Sequence, residues 1–146
     1  MFSTLLVVHS LFRWLVLAVA LYVVLRMATG LATGRAWEED DRRAGVFFTI
    51  AMDVQLLLGI ALFAISPTIR HGISDVAQAM KDSTVRFMLA EHPILMLLAV
   101  VFAHLGSVLS RRGPTDRVKF VRAAGGYSLA IALLLAGIPW WRLRAG

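Results

Sequence analysis

Apolar residues along this 146-residue chain gather into four long runs, near 5–25, 46–65, 87–109 and 123–139. Each approaches the roughly 20 helical residues that cross the hydrocarbon core of a bilayer. Such runs are predicted to be helices, because lipid offers no partner to an unbonded backbone N–H or C=O. Pro67 stops the second run after Ser66. Pro93 falls near the start of the third, where it either kinks the span or marks its first turn. The fourth run is the shortest, and Trp140 and Trp141 follow it in place for an interfacial belt. No linker or internal boundary interrupts the series. The pattern predicts one all-α integral membrane domain, a four-helix bundle running up-down-up-down.

Composition strengthens this. Hydrophobic residues make up 59% of the chain and charged residues 16%, against about 45–50% and 25% in a soluble domain. That surplus excludes a disordered chain and exceeds what a water-soluble fold of this length can bury. The absence of cysteine excludes disulfides, iron–sulfur clusters, thiolate zinc sites and CxxCH haem attachment. The net charge of +6 does not indicate nucleic acid, because the cations lie in short segments between apolar runs. Nine of them, Arg26, Arg35, Arg42, Arg43, Arg111, Arg112, Arg117, Lys119 and Arg122, fall on the side of the first and third connections. Five, Arg70, Lys81, Arg86, Arg142 and Arg144, fall on the other. The positive-inside rule then puts both termini and the 66–86 connection outside the cytoplasm. Ala18-Val19-Ala20 has the small residues of a signal-peptide cleavage site, but no basic residue precedes the first run and Arg13 interrupts it. Cleavage there is not expected.

Ionisable residues inside a span are costly and mark functional positions. Here they are His9, Arg13, Asp53, Glu91, His92 and His104, with Gln55 as a neutral companion. At 1.5 Å per residue, His9 and His92 lie roughly 6 and 7.5 Å into two parallel spans, at one depth. Level histidines on diagonal helices suit the two axial positions of haem b. Arg13, one turn after His9, and Arg86, at the outer end of the third span, are candidate partners for haem propionates. A purely structural reading competes: the histidines can bond each other, a carbonyl or a carboxylate, and Arg13 can pair with Glu91.

Asp53 and His104 lie at similar depths in the other half and are expected to touch. Their contact serves either as interhelical glue or as a proton relay or quinone head-group site. His92 and His104 are separated by roughly 18 Å along the axis, and no partner histidine matches His104, so a second haem is not expected. His71 in the 66–86 connection is expected to be solvated. Met52, Met88 and Met96 read as core filler, and Gly59, Gly106 and Gly125-Gly126 as points of close helix approach. No phosphate loop, dinucleotide fingerprint, HExxH or nucleophile elbow is present. Nor is there a broken-helix repeat of the kind transporters use.

The run His9-Ser10-Leu11-Phe12-Arg13-Trp14 resembles the opening of a group of small bacterial four-span membrane proteins labelled cytochrome b-like. The likeness continues through Gln55-Leu56-Leu57-Leu58-Gly59, Ser66-Pro67, Arg86, Glu91-His92, Met96 and Ile138-Pro139-Trp140, nearly the whole chain. The resemblance implies a bacterial inner-membrane protein with His9 and His92 as haem b ligands. The expected function is electron transfer, with quinone or a larger respiratory or photosynthetic complex as partner. The alternative is a haem-free accessory subunit of such a complex, its intramembrane charges serving as structural pairs.

Overall fold

The computed structural model describes residues 1–141; Arg142 and Arg144, counted above for topology, lie outside the described residues. Helix α1 (Phe2–Thr33) ends at Gly34, whose φ of 65° is the left-handed conformation that glycine adopts without strain. Helix α2 (Glu39–Ile65) opens on a capping box between Glu38 and Asp41. The Ser66 hydroxyl and Pro67 then start a short helix, α3 (Pro67–Ser74), and two single turns follow, α4 (Val76–Ala79) and α5 (Ser83–Arg86). One π-turn, Phe87–Glu91, leads into α6 (His92–Arg111), and α7 (Asp116–Gly137) completes the chain of helices.

Four of these segments, Phe2–Thr33, Glu39–Ile65, Ser83–Arg111 and Asp116–Gly137, are long and apolar enough to cross a membrane. The first three extend past their apolar runs at one end or both; the fourth begins earlier and stops at Gly137, two residues short. The extensions carry charges that suit helix ends, such as Glu39, Asp40 and Asp41 in the first turn of α2. Connections 34–38 and 112–115 sit together at what we call the hairpin end. The chain's start and the 66–86 segment sit at the opposite, terminal end.

Helix α1 packs on α2 and α7, and α6 packs on the same two, so α1 and α6 are diagonal. This is the expected up-down-up-down bundle. Inward positions recur with alternating steps of three and four: Val16, Ala20, Val23, Met27 and Gly30 on α1; Asp41, Gly45, Phe48, Met52 and Gln55 on α2. Ala99, Ala103, Gly106 and Ser110 continue the pattern on α6, and Phe120, Ala123, Tyr127, Ala130 and Leu134 on α7. A seven-residue repeat of this kind packs helices at about 20° in a left-handed bundle. Many inward residues are small, whereas Leu11, Leu25 and Leu57 point outward with 66, 55 and 65% of their surface exposed. The bundle is apolar outside as well as inside, and its helices are sorted by side-chain volume. That is how helices associate in lipid, where burying apolar surface brings no gain and close contact does. The protein is membrane-embedded.

The hairpin half is tightly closed. Gly106 and Gly126 meet backbone to backbone where α6 crosses α7. Phe120 lies against Gly30 and under Trp37, ring centroids 4.9 Å apart. The fully buried Asp41 accepts hydrogen bonds from Arg26 Nε (2.7 Å), both terminal nitrogens of Arg35 (2.7 and 2.6 Å) and the Glu38 N–H (2.9 Å). Arg35 lies in the connecting loop, and its bond to Asp41 raises the guanidinium pKa above its ordinary value.

Candidate functional site

The terminal half is built differently. The same inward stripes continue there, but polar or small residues occupy them: His9 and Arg13 on α1, Gln55 and Gly59 on α2, His92 on α6 and Gly137 on α7. The imidazoles of His9 and His92 meet across the diagonal with centroids 6.5 Å apart and planes at 77°. Depth counting along the sequence anticipates this meeting.

Local sequence explains how His92 reaches the interior. Pro93 has no N–H to give, and its ring would strike the carbonyl of Leu89 in a regular α-turn. The chain relaxes into the π-turn at Phe87–Glu91, with the His92 N–H bonded to the Phe87 carbonyl. The extra residue resets the helix register just before His92, a common use of π-turns at functional positions. The expected proline effect is thus a change of register. His92 Nδ1 lies 2.6 Å from the Gly137 carbonyl. That carbonyl is in the last turn of α7, where no intrahelical donor remains, so it accepts from Nδ1–H. A histidine whose Nδ1–H is held by a backbone oxygen has its ring orientation fixed, as metal-ligating histidines commonly do.

His9 has a different support. Gln55 donates to the His9 backbone carbonyl at 3.1 Å and approaches its Nε2 at 3.4 Å. Gly59 has no Cβ, and one built there would stand 3.4 Å from His9 Cε1. Three buried side-chain atoms among the described residues have no hydrogen-bond partner: His9 Nδ1, Arg13 Nε and Gln55 Oε1. All three belong to this site. In a native protein such atoms are uncommon and call for a ligand, ion or water. Arg13 lies over the Trp14 ring at 5.3 Å and pairs with no carboxylate among the described residues.

Two adjoining cavities converge on the histidines. One, about 480 Å3, is lined by His9, Arg13, Gln55 and His92 and is covered at the terminal end by Ser66, Thr68 and Ile69. The other, about 200 Å3, is an apolar crevice between α2 and α6 with the same histidines at its floor.

These residues fit a haem. Two imidazoles on opposite faces of one metal ion stand roughly 6 Å apart, from two metal–nitrogen bonds of about 2 Å and two ring radii. No group of three or more His, Asp or Glu side chains able to hold a metal ion occurs among the described residues. A haem brings four nitrogens of its own and asks the protein for two. Arg13, a cation facing the larger cavity, matches a propionate in charge.

Arg86 does not join this group. Its guanidinium bonds Glu91 at 2.8 Å and the Met80 carbonyl at 3.4 Å, and it lines neither cavity. The same bond removes Glu91 from Arg13, so the alternative Arg13–Glu91 pair does not form. Asp53 and His104 do touch, Nε2 to Oδ1 at 2.9 Å, on the outside of the bundle. His71 is exposed in α3. Sequence reasoning missed the Gly137 carbonyl and the cover of Ser66 and Thr68. A glycine carbonyl at a helix end leaves no mark in a hydropathy profile.

Set against protein-family models, curated proteins and solved structures, the chain has no match.

Proposed function

We propose that this protein is a b-type membrane electron carrier that holds one haem b between α1 and α6, with His9 and His92 as axial ligands. The observation that carries the reading is the 6.5 Å spacing of the two rings across the bundle diagonal. The three unpartnered buried atoms around the cavity support it. When bound, the haem supplies a one-electron ferric/ferrous couple. The chain's own residues do the rest. The Gly137 carbonyl orients His92, Gln55 and Gly59 seat His9, and the apolar walls of the crevice keep water from both rings. Arg13, a cation lining the larger cavity, would meet a haem propionate. A haem held by both histidines would supply electron transfer rather than oxygen chemistry. The exchanging partner is a membrane quinone or a larger respiratory or photosynthetic complex.

The test is a dithionite-reduced minus oxidised spectrum of protein expressed with ample haem. The expected result is the α band of a low-spin b-type cytochrome. Its absence overturns the reading and leaves the haem-free accessory subunit. We also propose a bacterial inner membrane, which the resemblance of the His9–Trp14 run implies, and both termini outside the cytoplasm, which the lysine and arginine distribution supports. A C-terminal reporter active only in the cytoplasm should stay silent; strong activity reverses the orientation.

A further inference from the structure

Asp53 and His104 stand off the inward stripes of their helices. Asp53 follows the buried Met52, and His104 follows the buried Ala103, so both lie on the outer seam between α2 and α6. Each side chain is 46% exposed. Asp53 is twelve residues from the terminal end of α2 and fourteen from its hairpin end, roughly 18 and 21 Å along the axis. Hydrocarbon depth is therefore where the pair sits. Around it the surface is apolar: Ile50, Leu57, Val101 and Leu105 are 54, 65, 49 and 42% exposed. An ionisable pair directed at lipid is costly, and such residues normally face protein or a water-filled cavity. Apart from their mutual bond, Asp53 Oδ2 and His104 Nδ1 have no hydrogen-bond partner among the described residues.

From this seam we propose that α2 and α6 form the interface of a homodimer, with the Asp53–His104 pairs of two copies side by side at its centre. The seam is complementary to itself. The pair presents an imidazole edge beside a carboxylate edge at a single depth. A twofold axis along the membrane normal reverses their order, so each His104 meets the copy's carboxylate and each Asp53 meets the copy's imidazole. Isologous interfaces are the commonest way oligomers close, and in lipid the new polar contacts have no water to compete with. The 200 Å3 crevice opens on this same seam, between the exposed Ile60 of α2 and Leu97 of α6. A second copy there covers its mouth and separates the His9–His92 floor from lipid. The inference does not depend on what the histidines bind.

The chain has no cysteine, so single cysteines report contacts directly. Leu57→Cys and Val101→Cys, one turn from Asp53 and His104 respectively, are expected to cross-link through a bismaleimide in native membranes. The product should have twice the mass of one chain. Leu129→Cys, exposed on α7 away from the seam, should remain monomeric. In the Leu57→Cys background, Asp53→Asn keeps the shape and removes the charge; it should lower the cross-linked fraction about tenfold. Three results overturn the inference: no product at Leu57 and Val101, a product of any other mass, or a yield unmoved by Asp53→Asn.

Discussion

The two halves of the bundle meet their polar groups in opposite ways. At the hairpin end a charge is fully buried, yet every oxygen of Asp41 is occupied and the packing around it is tight. At the terminal end no carboxylate faces Arg13, three buried polar atoms have no partner among the described residues, and two cavities surround them. Buried polar networks hold a fold together when they are complete, and an incomplete one is expensive. The contrast separates two kinds of site: the hairpin half has its buried polar groups matched within the chain, and the terminal half leaves three such atoms beside a cavity.

Substitutions can break or sharpen that division. The largest effect is expected from His9→Ala or His92→Ala, each of which should abolish the low-spin haem band. His104→Ala should leave the band intact. Thermal unfolding of the haem-free protein should barely register His9→Ala, whereas His92→Ala leaves the Gly137 carbonyl without its donor and should cost about 1–3 kcal/mol. A large loss of apo-protein stability in His9→Ala would show that the terminal half also carries the fold.

Asp41→Ala should have the reverse signature. Two guanidiniums lose their acceptor, and the helix start loses its capping box. Both cations keep partial access to solvent, so a cost of about 2–3 kcal/mol is expected by thermal denaturation in detergent. The haem spectrum of the folded fraction should be unchanged.

Glycine substitutions in α7 refine the comparison. A Cβ on Gly126 falls on the Gly106 backbone, so Gly126→Ala should cost about 1–3 kcal/mol. Next to it, Gly125 has nothing within 4 Å of such a Cβ. Gly125→Ala should be neutral, or stabilising by up to about 0.5–1 kcal/mol through helix propensity. Equal effects at the two positions would mean that close packing at the hairpin half is not what holds α6 to α7.

The smallest effect is reserved for Arg13. Arg13→Ala should retain haem and lower its potential by tens of millivolts, the order expected for one unit charge several ångströms away. The sign follows from charge: reduction makes the iron less positive, and a nearby cation favours that. A potential that rises, or does not move in a redox titration, would remove Arg13 from the electrostatics of the site.

Much of this was legible from composition and spacing. Run lengths were enough for four membrane helices, because a backbone in lipid has no alternative to bonding itself. Depth counting brought His9 to His92 and Asp53 to His104, because rise per residue is constant and the connections force the helices to alternate. Side-chain partners chosen by proximity in sequence fared differently. Arg86 lies near His92 along the chain, but its guanidinium bonds Glu91 and the Met80 carbonyl and lines neither cavity.

Hydropathy could not say which face of each helix points inward, because both faces are apolar and only side-chain volume separates them. Nor could it reveal that Asp53 and His104 meet on the outside while His9 and His92 meet within. That difference is a matter of a residue or two around a helix, about 100° each, and it is set by packing the small-residue stripes together. Likewise, by sequence Asp41 is one of four consecutive acidic residues at 38–41, and only the fold gathers Arg26 and Arg35 around it. Order, length and depth are properties of a single helix in a bilayer, so the chain declares them locally. Facing, occupancy and the presence of an unfilled cavity belong to four helices at once, and they exist only after the bundle has closed.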